Sequence, residues 1–284
     1  MTTTTTNLLT ISLGAALGAY LFPLLSPSLP NLNLNPFSPP ASSSPLLPSY
    51  TCPPHNYTTT LISLSPLLIH ITNFIPHHEA SHLIALSDPL LTPSPQHGSA
   101  ATAQTRTSWS APLPDSDPVT HCILSRASSF LGTLLSPGRD EIGPSQIVRY
   151  LPGQKFDPHT DWFPQPRVDE KDIETGRKRM YNRIATIFAV LQANHTGGGE
   201  TWFPKVEAIT PQERWEGNPE ERIWRVHEEG GLAFKAVAGN ALFWVNIGQN
   251  GAGDPKTVHA GLPVEGGVKY GMNIWPRVFF GPDA

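Results

Sequence analysis

One stretch constrains the fold more than any other, because it is apolar on both of its alternating faces. It spans residues 184–191, and Thr186 is its only polar residue. Successive side chains of a strand point to opposite faces of a sheet, so a strand of this composition must be buried on both sides. The chain therefore needs a sheet that is covered by another layer on each face.

The remaining apolar segments predict what covers that sheet. Two amphipathic helices are expected at residues 77–87 and 119–135, where apolar side chains recur at helical spacing. Strands are expected at residues 58–65, 68–74, 106–110 and 147–150, after the turn at Gly197-Gly198-Gly199, as a pair within residues 236–247 around Gly239-Asn240, and as a final hairpin of residues 258–260 and 268–278 joined through Gly266-Gly267. Many short strands with turn signals and two early helices predict a mainly β fold with flanking helices (α+β), namely a double-stranded β-helix or jelly-roll barrel.

Two charged segments interrupt the apolar pattern. Residues 165–183 lack apolar periodicity, and a structureless loop longer than about 12–15 residues is usually functional or disordered. We therefore expect a loop there that acts as a lid or a substrate clamp. Residues 210–231 are also rich in charge and are expected to form a surface insertion.

The composition changes along the chain. No Lys or Arg precedes Arg106, and residues 8–25 are uncharged and mostly apolar. Because a membrane-spanning helix needs about 20 apolar residues, residues 1–25 are interpreted as a signal-anchor or transmembrane segment. A cleaved signal peptide and a disordered apolar tail are the alternatives. The basic start that is typical of a signal peptide is missing. Residues 26–51, rich in Pro and Ser, predict an extended linker, and residues 52–284 predict the folded domain.

Composition and cysteine usage exclude several classes of function. The chain has 284 residues, a net charge of −4 and no basic stretch, which argues against nucleic-acid binding. Cys52 and Cys122 are its only cysteines, so a cysteine-dense scaffold and a multi-cysteine zinc site are excluded. The sequence leaves open whether these two cysteines pair. His78 and His82 have the i, i+4 spacing of a zinc-binding pair, and we favour a solvated helix face for them.

A His-x-Asp motif, His159-Thr160-Asp161, follows a predicted strand near the middle of the chain. Residues i and i+2 of a strand point to the same face, so the imidazole and the carboxylate would project side by side. With a second His from a distant strand, they form the two-histidine, one-carboxylate triad that holds non-haem Fe(II) and leaves coordination positions open. Alone the motif is weak, because chance produces it often.

The second His has three candidates beyond this motif. His195 sits in a Gly-rich turn and His227 in a charged insertion, so both are interpreted as surface residues. His259 opens the final predicted hairpin, and Lys269 shares one face of the last strand with Trp275. A Lys inside a barrel is costly unless a carboxylate pairs with it. A dicarboxylate that chelates iron at one end and meets Lys269 at the other fits this layout, and an exposed hairpin lysine is the alternative.

Taken in order, these residues resemble a known family. The motifs are Arg106-Thr107-Ser108, Tyr150, Gly153-Gln154, His159-x-Asp161, Arg183-x-Ala-Thr186, Gly198-Gly-Glu-Thr-x-Phe-Pro204, Gly239-x-Ala-Leu-x-Trp244, His259-Ala-Gly-x-Pro263-Val, Lys269 and Trp275. Their order, spacing and residue types are similar to those of the prolyl 4-hydroxylase family of 2-oxoglutarate/Fe(II)-dependent dioxygenases, in the compact form of the plant, algal and fungal members.

The resemblance implies a cofactor set and a role for each site residue. The implied Fe(II) ligands are His159, Asp161 and His259, and the implied 2-oxoglutarate contacts are Tyr150, Thr186, Lys269 and Trp275. The implied catalytic set is the three ligands together with Lys269, and L-ascorbate is the further expected cofactor. The reaction would consume 2-oxoglutarate and O₂, release succinate and CO₂, and hydroxylate a substrate C–H bond.

The implied function is 4-hydroxylation of proline residues in peptides or proteins. A related dioxygenase that acts on a small molecule or on a non-proline residue is the alternative. A non-catalytic binding module is disfavoured because the ligand set is complete. Two departures from the family pattern are Asn240, where an acidic residue is expected, and the long insertion at residues 210–231. No peptide-substrate-binding domain precedes residues 52–284, which argues against collagen-type specificity.

The expected location follows from the N-terminal segment. We expect a single-pass protein of the endoplasmic reticulum membrane with a lumenal catalytic domain, and secretion is the alternative. The sequons at Asn56 and Asn194 support a lumenal domain weakly. The expected partners are a proline-containing peptide or protein and, through residues 1–25, a membrane. The oligomeric state stays open.

Overall fold

The computed structural model describes residues 50–95, 105–210 and 222–284, all within one compact unit that spans Leu47–Ala284. The α-helices in these ranges are α1 (His77–Ser87), α2 (Pro118–Leu131) and α3 (Glu170–Thr175), with 3₁₀ turns at Asp88–Leu90, Gly132–Leu134 and Pro255–Thr257. The strands are β1 (Thr58–Leu64), β2 (Leu67–Thr72), β3 (Thr92–Pro93), β4 (Trp109–Pro112), β5 (Glu141–Ile142), β6 (Gln146–Tyr150), β7 (Phe156–His159), β8 (Arg167–Val168), β9 (Met180–Arg183), β10 (Ala185–Ala193), β11 (Thr201–Phe203), β12 (Trp224–Val226), β13 (Leu232–Phe234), β14 (Ala241–Val245), β15 (His259–Gly261), β16 (Lys269–Ile274) and β17 (Pro276–Phe280).

These strands form three antiparallel sheets. The largest has the order β1-β2-β14-β10-β16-β6-β4-β3, the second has the order β12-β13-β11-β15-β7, and a small third sheet has the order β5-β17-β9-β8. β10 lies inside the large sheet, where Phe188 pairs with Leu242 of β14 and with Asn273 of β16. Two antiparallel sheets with helices on one side confirm the predicted mainly β architecture.

The two faces of β10 are buried against different layers. Ala185, Ile187 and Leu191 pack in a core with residues of α1 and α2. Phe188 and Val190 point the other way and pack in a second core with side chains of the five-stranded sheet. The prediction of a strand covered on both sides is confirmed, and the second core carries the site described below.

Helix α2 has a clear start and a clear stop. The Asp117 side chain accepts a hydrogen bond from the Thr120 amide at 2.7 Å, and Pro118 occupies the first helical position. The buried positions recur every four residues, at Val119, Ile123, Ala127 and Leu131. Gly132, with a φ of 55°, follows the last helical residue, Leu131, so the helix ends four residues before the predicted boundary.

A disulfide and a buried ion pair fix the helical layer. Cys52 and Cys122 are joined, with their Cα atoms 5.4 Å apart, which answers the question that the sequence left open. Arg126 of α2 donates to the carboxylate of Glu79 of α1 at 2.8 Å, and both side chains are buried. These links connect the start of the domain, α1 and α2 on one face of the large sheet.

No helix within residues 50–95, 105–210 and 222–284 is long and apolar enough to cross a membrane. The predicted anchor at residues 1–25, and all but the last two residues of the predicted linker at 26–51, lie outside these ranges.

The predicted final hairpin is wrong, because its two strands belong to different sheets. β15 lies in the five-stranded sheet and β16 in the large sheet, so Gly266-Gly267 makes a crossing between the sheets. The predicted pair within residues 236–247 is also wrong, since this range contains only β14. The preceding strand, β13, ends at Phe234 and lies in the five-stranded sheet. A positive φ at Gly239 and at Gly267 permits these turns. An alternating apolar pattern is the same whether the next strand pairs with the previous one or crosses to the other sheet. The pattern therefore does not distinguish the two.

Residues 165–183 are not the structureless loop that was predicted. They form β8, α3 and β9. In the third sheet β9 pairs with β17, and β8 pairs with β9 at the edge. Ion pairs take the place of apolar periodicity, since Arg179 donates to Asp172 at 2.8 Å and Arg277 pairs with Asp169. The predicted strand at 106–110 is also shifted, because β4 begins at Trp109. Residues 222–231 of the predicted insertion include β12, and residues 211–221 lie outside the described ranges.

Candidate metal centre and active site

The predicted triad comes together at the edge of the five-stranded sheet. β7 ends at His159 and β15 begins at His259, and these two residues face each other directly in the antiparallel register. Asp161 follows two residues after His159. One ligand atom from each of the three lies within 4.8 Å of the others. The register between two short strands therefore builds the site that the spacing predicted.

Backbone carbonyls fix the orientation of both imidazoles. His159 Nδ1 lies 2.8 Å from the Asp157 oxygen, and His259 Nδ1 lies 2.9 Å from the Thr257 oxygen. A carbonyl only accepts, so each Nδ1 carries the proton and each Nε2 presents a lone pair. The Nε2 atoms lie 3.9 Å and 3.8 Å from the Asp161 carboxylate. Metal-binding histidines typically donate their other ring N–H to a carbonyl or carboxylate in this way, which fixes the ring and its tautomer.

Asp161 is held by hydrogen bonds to one of its two carboxylate oxygens. Its Oδ2 accepts from the Thr186 hydroxyl at 2.8 Å and from the Trp275 indole at 3.3 Å. Asn246 Nδ2 donates to the Thr186 hydroxyl at 2.9 Å, which directs that hydroxyl proton towards Asp161. Among the described residues Oδ1 accepts no hydrogen bond, so it is the oxygen available to a metal.

The protonation states suit a cation. Burial and the neighbouring His259 lower the pKa of His159, so its imidazole is neutral at pH 7 and its Nε2 is free to ligate. Burial alone would raise the pKa of Asp161, but His259, His159 and Arg183 lower it by more, and its carboxyl is ionised. Two imidazoles and one carboxylate are the donor set that non-haem Fe(II) takes.

Aromatic rings pack around the histidines. Phe156 stacks on His159 with ring centroids 3.5 Å apart, and Phe203 stacks on His259 at 5.4 Å. Trp162 donates from its indole to the Asp254 oxygen and to the Thr257 hydroxyl, each at 3.2 Å. Trp162 thus ties the loop after His159 to the loop before His259.

A cavity of about 630 Å³ opens beside the triad. The three ligands, Tyr150, Lys269 and Trp275 line it, together with aromatic and basic side chains at its mouth. Trp244 also lines this cavity, and its buried indole N–H has no partner among the described residues. The cavity therefore offers a metal face and a buried cation to one small polar ligand.

Lys269 is the buried cation, as predicted from its strand face. It pairs with Tyr150 across β16 and β6 and is 2% exposed. Its Nζ donates to the Gly199 oxygen at 2.7 Å and lies 5.6 Å from the Tyr150 ring centroid. Burial lowers the pKa of Lys269 to about 8, although Glu200 raises it. In the described part of the chain no carboxylate forms an ion pair with it, which leaves room for a ligand acid.

The other residues predicted to contact 2-oxoglutarate differ in whether they line the cavity. Tyr150 lines the cavity and burial raises its pKa, so its hydroxyl stays protonated. Trp275 lines the cavity and also donates to Asp161. Thr186 does not line the cavity, because its hydroxyl is committed to Asp161 and Asn246.

Two residues at the site had no role assigned from the sequence. Arg183 lies 3.7 Å from the Trp275 ring centroid and donates to the Asp161 backbone oxygen at 3.3 Å. Burial lowers the pKa of Arg183 to about 10, against the opposing effect of Asp161. Asn246 is fully buried behind Thr186. Their only sequence signal is a polar residue next to a buried strand, which is not specific.

The histidines judged to be surface residues lie outside the triad. His227 packs on Trp202 with ring centroids 4.4 Å apart, and His195 lies beside the glycine turn. Residues 78–82 have the sequence His-Glu-Ala-Ser-His. However, His78 lies within hydrogen-bonding distance of the Tyr50 hydroxyl, and His82 lies 2.8 Å from the Asp117 carboxylate. Glu79 forms an ion pair with Arg126. The pair on α1 therefore does not converge on a metal.

Comparisons with known proteins agree with this geometry. Residues 145–277 match the model of the 2OG-Fe(II) oxygenase superfamily. The chain is 31% identical over 225 residues to probable prolyl 4-hydroxylase 6 of Arabidopsis thaliana, covering 77% of this chain and 72% of that protein. Prolyl 4-hydroxylase 2 of the same plant is 30% identical over 222 residues, covering 76% and 69%.

The chain belongs to the prolyl 4-hydroxylase family of 2-oxoglutarate/Fe(II) oxygenases. The structure of a viral collagen prolyl hydroxylase from Paramecium bursaria Chlorella virus-1, in complex with 2OG, is similar with a TM-score of 0.52 at 22% identity, covering 74% of this chain and 96% of that one. This likeness confirms the double-stranded β-helix fold. The match to the oxygenase superfamily contains every predicted site residue, from Tyr150 to Trp275.

The residues of this oxygenase fit its cofactors. His159, Asp161 and His259 supply the donor set for Fe(II), with protonation states and hydrogen bonds that favour ligation. The buried Lys269 supplies a cation for 2-oxoglutarate in the same cavity.

Proposed function

We propose that this oxygenase hydroxylates C4 of proline residues in peptides or proteins. The observation that carries the proposal is the Fe(II) donor set beside a buried, carboxylate-free Lys269 in one open cavity. The names of the plant relatives support proline as the target. One atom of O₂ enters the substrate C–H bond and the other enters succinate, with loss of CO₂ from 2-oxoglutarate.

Each of the site residues has a defined task in this reaction. His159, Asp161 and His259 would hold Fe(II), which supplies the activation of O₂ when bound. Lys269 binds the distal carboxylate of 2-oxoglutarate through a charge-assisted hydrogen bond, with the Tyr150 hydroxyl beside it. Orienting the co-substrate in this way holds it in one position beside the metal ligands.

Water exclusion and charge balance follow from the same cavity. The rings of Phe156, Phe188 and Trp244 line it and keep its interior apolar. In such surroundings each polar contact is stronger than in water. Thr186 and Trp275 hold Asp161 in one orientation, so the ligand set does not have to reorganise during turnover. L-Ascorbate, which keeps iron reduced, completes the proposed cofactors.

The proposal extends to the location of the protein. We propose that the domain lies in the lumen of the endoplasmic reticulum and that residues 1–25 anchor it to the membrane. The support is the Cys52–Cys122 disulfide, because disulfides persist in oxidising compartments and are rare in the cytosol. Secretion after cleavage of residues 1–25 is the alternative. N-terminal sequencing of the protein recovered from membranes separates the two.

The proposed reaction is tested by succinate release with Fe(II), 2-oxoglutarate, ascorbate and proline-rich peptides. We expect peptide-stimulated turnover, a one-oxygen mass gain on proline, and loss of both in His159→Ala. His195→Ala is the matched control and should keep both activities. Turnover that no peptide stimulates would contradict proline hydroxylation and favour a small-molecule substrate.

A further inference from the structure

Two arginines that line the cavity, Arg167 and Arg183, differ from most of the other arginines of the described chain. Most described arginines form an ion pair with a carboxylate side chain, namely Arg126, Arg139, Arg149, Arg179, Arg225 and Arg277. Arg167 and Arg183 form no such pair with any described residue, although both line the cavity. The cavity mouth therefore carries positive charge that this part of the chain does not balance.

These two arginines converge on one aromatic ring. The guanidinium carbons of Arg167 and Arg183 lie 3.9 Å and 4.8 Å from the centroid of Phe163. Arg167 is exposed and Arg183 is half-buried, nearer the metal site. A ring face attracts cations, so Phe163 offsets part of their mutual repulsion.

The Phe163 platform is fixed by the backbone. Asn182 accepts from the Phe163 amide at 2.9 Å and donates to the Phe163 oxygen at 2.8 Å. Phe163 is also two residues after the metal ligand Asp161, on the segment that Trp162 anchors. The two guanidinium groups are thus held at a defined position relative to the metal ligands, and no carboxylate side chain of residues 50–95, 105–210 and 222–284 forms an ion pair with them.

The acids that line the cavity are already committed. Asp161 belongs to the ligand set, and Asp157 pairs with Lys155 at 2.7 Å. The proposed co-substrate is a dianion whose distal end meets Lys269, on a different strand from the two arginines. Fe(II) and 2-oxoglutarate together are neutral, so their binding leaves the charge of Arg167 and Arg183 unmatched.

We propose that Arg167 and Arg183 form a subsite for an acidic side chain, an Asp or Glu that flanks the hydroxylated proline. The inference rests on the proposed function and adds a sequence preference to it. A carboxylate of the peptide accepts charge-assisted hydrogen bonds from the guanidinium groups. Peptides with a neutral amide at the same position lose these bonds.

The test is a set of peptides that carry one proline and either Glu or Gln at each position from −2 to +2. The full chain is used with Fe(II), 2-oxoglutarate and ascorbate, and kcat/KM is measured for hydroxylated proline. At one position or more we expect Glu to exceed Gln by about tenfold, the range of a hydrogen bond to a charged group. The preference should shrink in high salt, because Arg167 is exposed.

The variant Arg167→Gln should remove the Glu preference through KM, so that the Glu and Gln peptides have equal kcat/KM. Arg177→Gln is the matched control, since Arg177 is exposed, donates to the Asp283 oxygen and does not line the cavity. Equal hydroxylation of Glu and Gln peptides at every position, or a Glu preference that survives in Arg167→Gln, overturns the subsite alone. Intact 2-oxoglutarate turnover with no peptide hydroxylated overturns the proposed function as well.

Discussion

Replacing Lys269 with Met should make the protein more stable while it destroys binding of 2-oxoglutarate. Lys269 is 2% exposed, and burial lowers its pKa from 10.5 to about 8. That depression corresponds to a cost of about 3 kcal/mol for keeping the ammonium charged in the folded state. Met has a similar length and no charge. The Gly199 carbonyl loses its donor, which costs about 1 kcal/mol, so we expect a net gain of about 2 kcal/mol at pH 7.

The pH dependence of this gain has a defined sign. The folded pKa of Lys269 lies below its unfolded value, so the unfolded chain holds the proton more tightly. Wild-type stability therefore rises relative to Lys269→Met as the pH rises from about 8 to about 10.5. The stability advantage of the variant should shrink over this window.

Binding of 2-oxoglutarate should change in the opposite direction. Leaving one partner of a buried ion pair uncompensated costs about 3–5 kcal/mol, which corresponds to roughly a few hundredfold to a few thousandfold in Kd. In wild type, a saturating co-substrate should raise the Tm through binding to the folded state, and in Lys269→Met it should not.

The assay is thermal and urea unfolding with Mn(II) as an inert metal, with and without 2-oxoglutarate. A gain of 2 kcal/mol corresponds to about 4–8 °C in Tm for a domain of this size. The control is Lys205→Met, an exposed lysine that should change neither quantity. A variant that is less stable than wild type without co-substrate, or that keeps its affinity for 2-oxoglutarate, would refute the reasoning.

Three further predictions test other parts of the structure. Thr186→Val removes the hydroxyl that holds Asp161 and should weaken metal binding about 10–100-fold in a Co(II) titration, while exposed Thr175→Val should not. Burial lowers the pKa of His70 to about 4, so stability should fall by about 3 kcal/mol as the pH drops from 6.5 to 4, with a shallower slope in His70→Gln unfolding curves. Reduction of the disulfide between Cys52 and Cys122, which are 70 positions apart, should cost about 4 kcal/mol and lower the Tm measured with reductant.

The sequence predicts the parts of this fold that depend on local periodicity. The strand at residues 184–191 is apolar on both faces, and the structure buries both faces against different cores. Helix α1 has the predicted limits, and α2 differs only where Gly132 ends it. These features follow from burial and from turn residues, which a single segment carries by itself.

Pairing between distant segments is where prediction fails. The strands around Gly239 and Gly267 have the expected pattern, yet each joins the opposite sheet instead of forming a hairpin. Residues 165–183 have structure because ion pairs such as Arg179–Asp172 replace an apolar face. Charge complementarity of this kind depends on partners that lie elsewhere in the chain, so no local pattern reveals it.

The candidate site shows the same division. His159 and Asp161 follow from i, i+2 spacing, and Lys269 follows from its strand face, so the structure brings them together as predicted. Thr186 was expected to hold the co-substrate, and its hydroxyl is instead bonded to Asp161 because Asn246 directs it there. The role of a hydroxyl in a buried strand depends on which polar side chains lie within hydrogen-bonding distance of it.

The most direct test of the central claim is tandem mass spectrometry of a proline-containing peptide after reaction under isotopically labelled O₂. The account predicts one labelled oxygen on C4 of proline and one in succinate, with Fe(II) and 2-oxoglutarate both required. His259→Ala should lose the label on both products, and His227→Ala should keep it. Label in the peptide that does not depend on His259, or label in succinate alone with every peptide unchanged, would contradict the account.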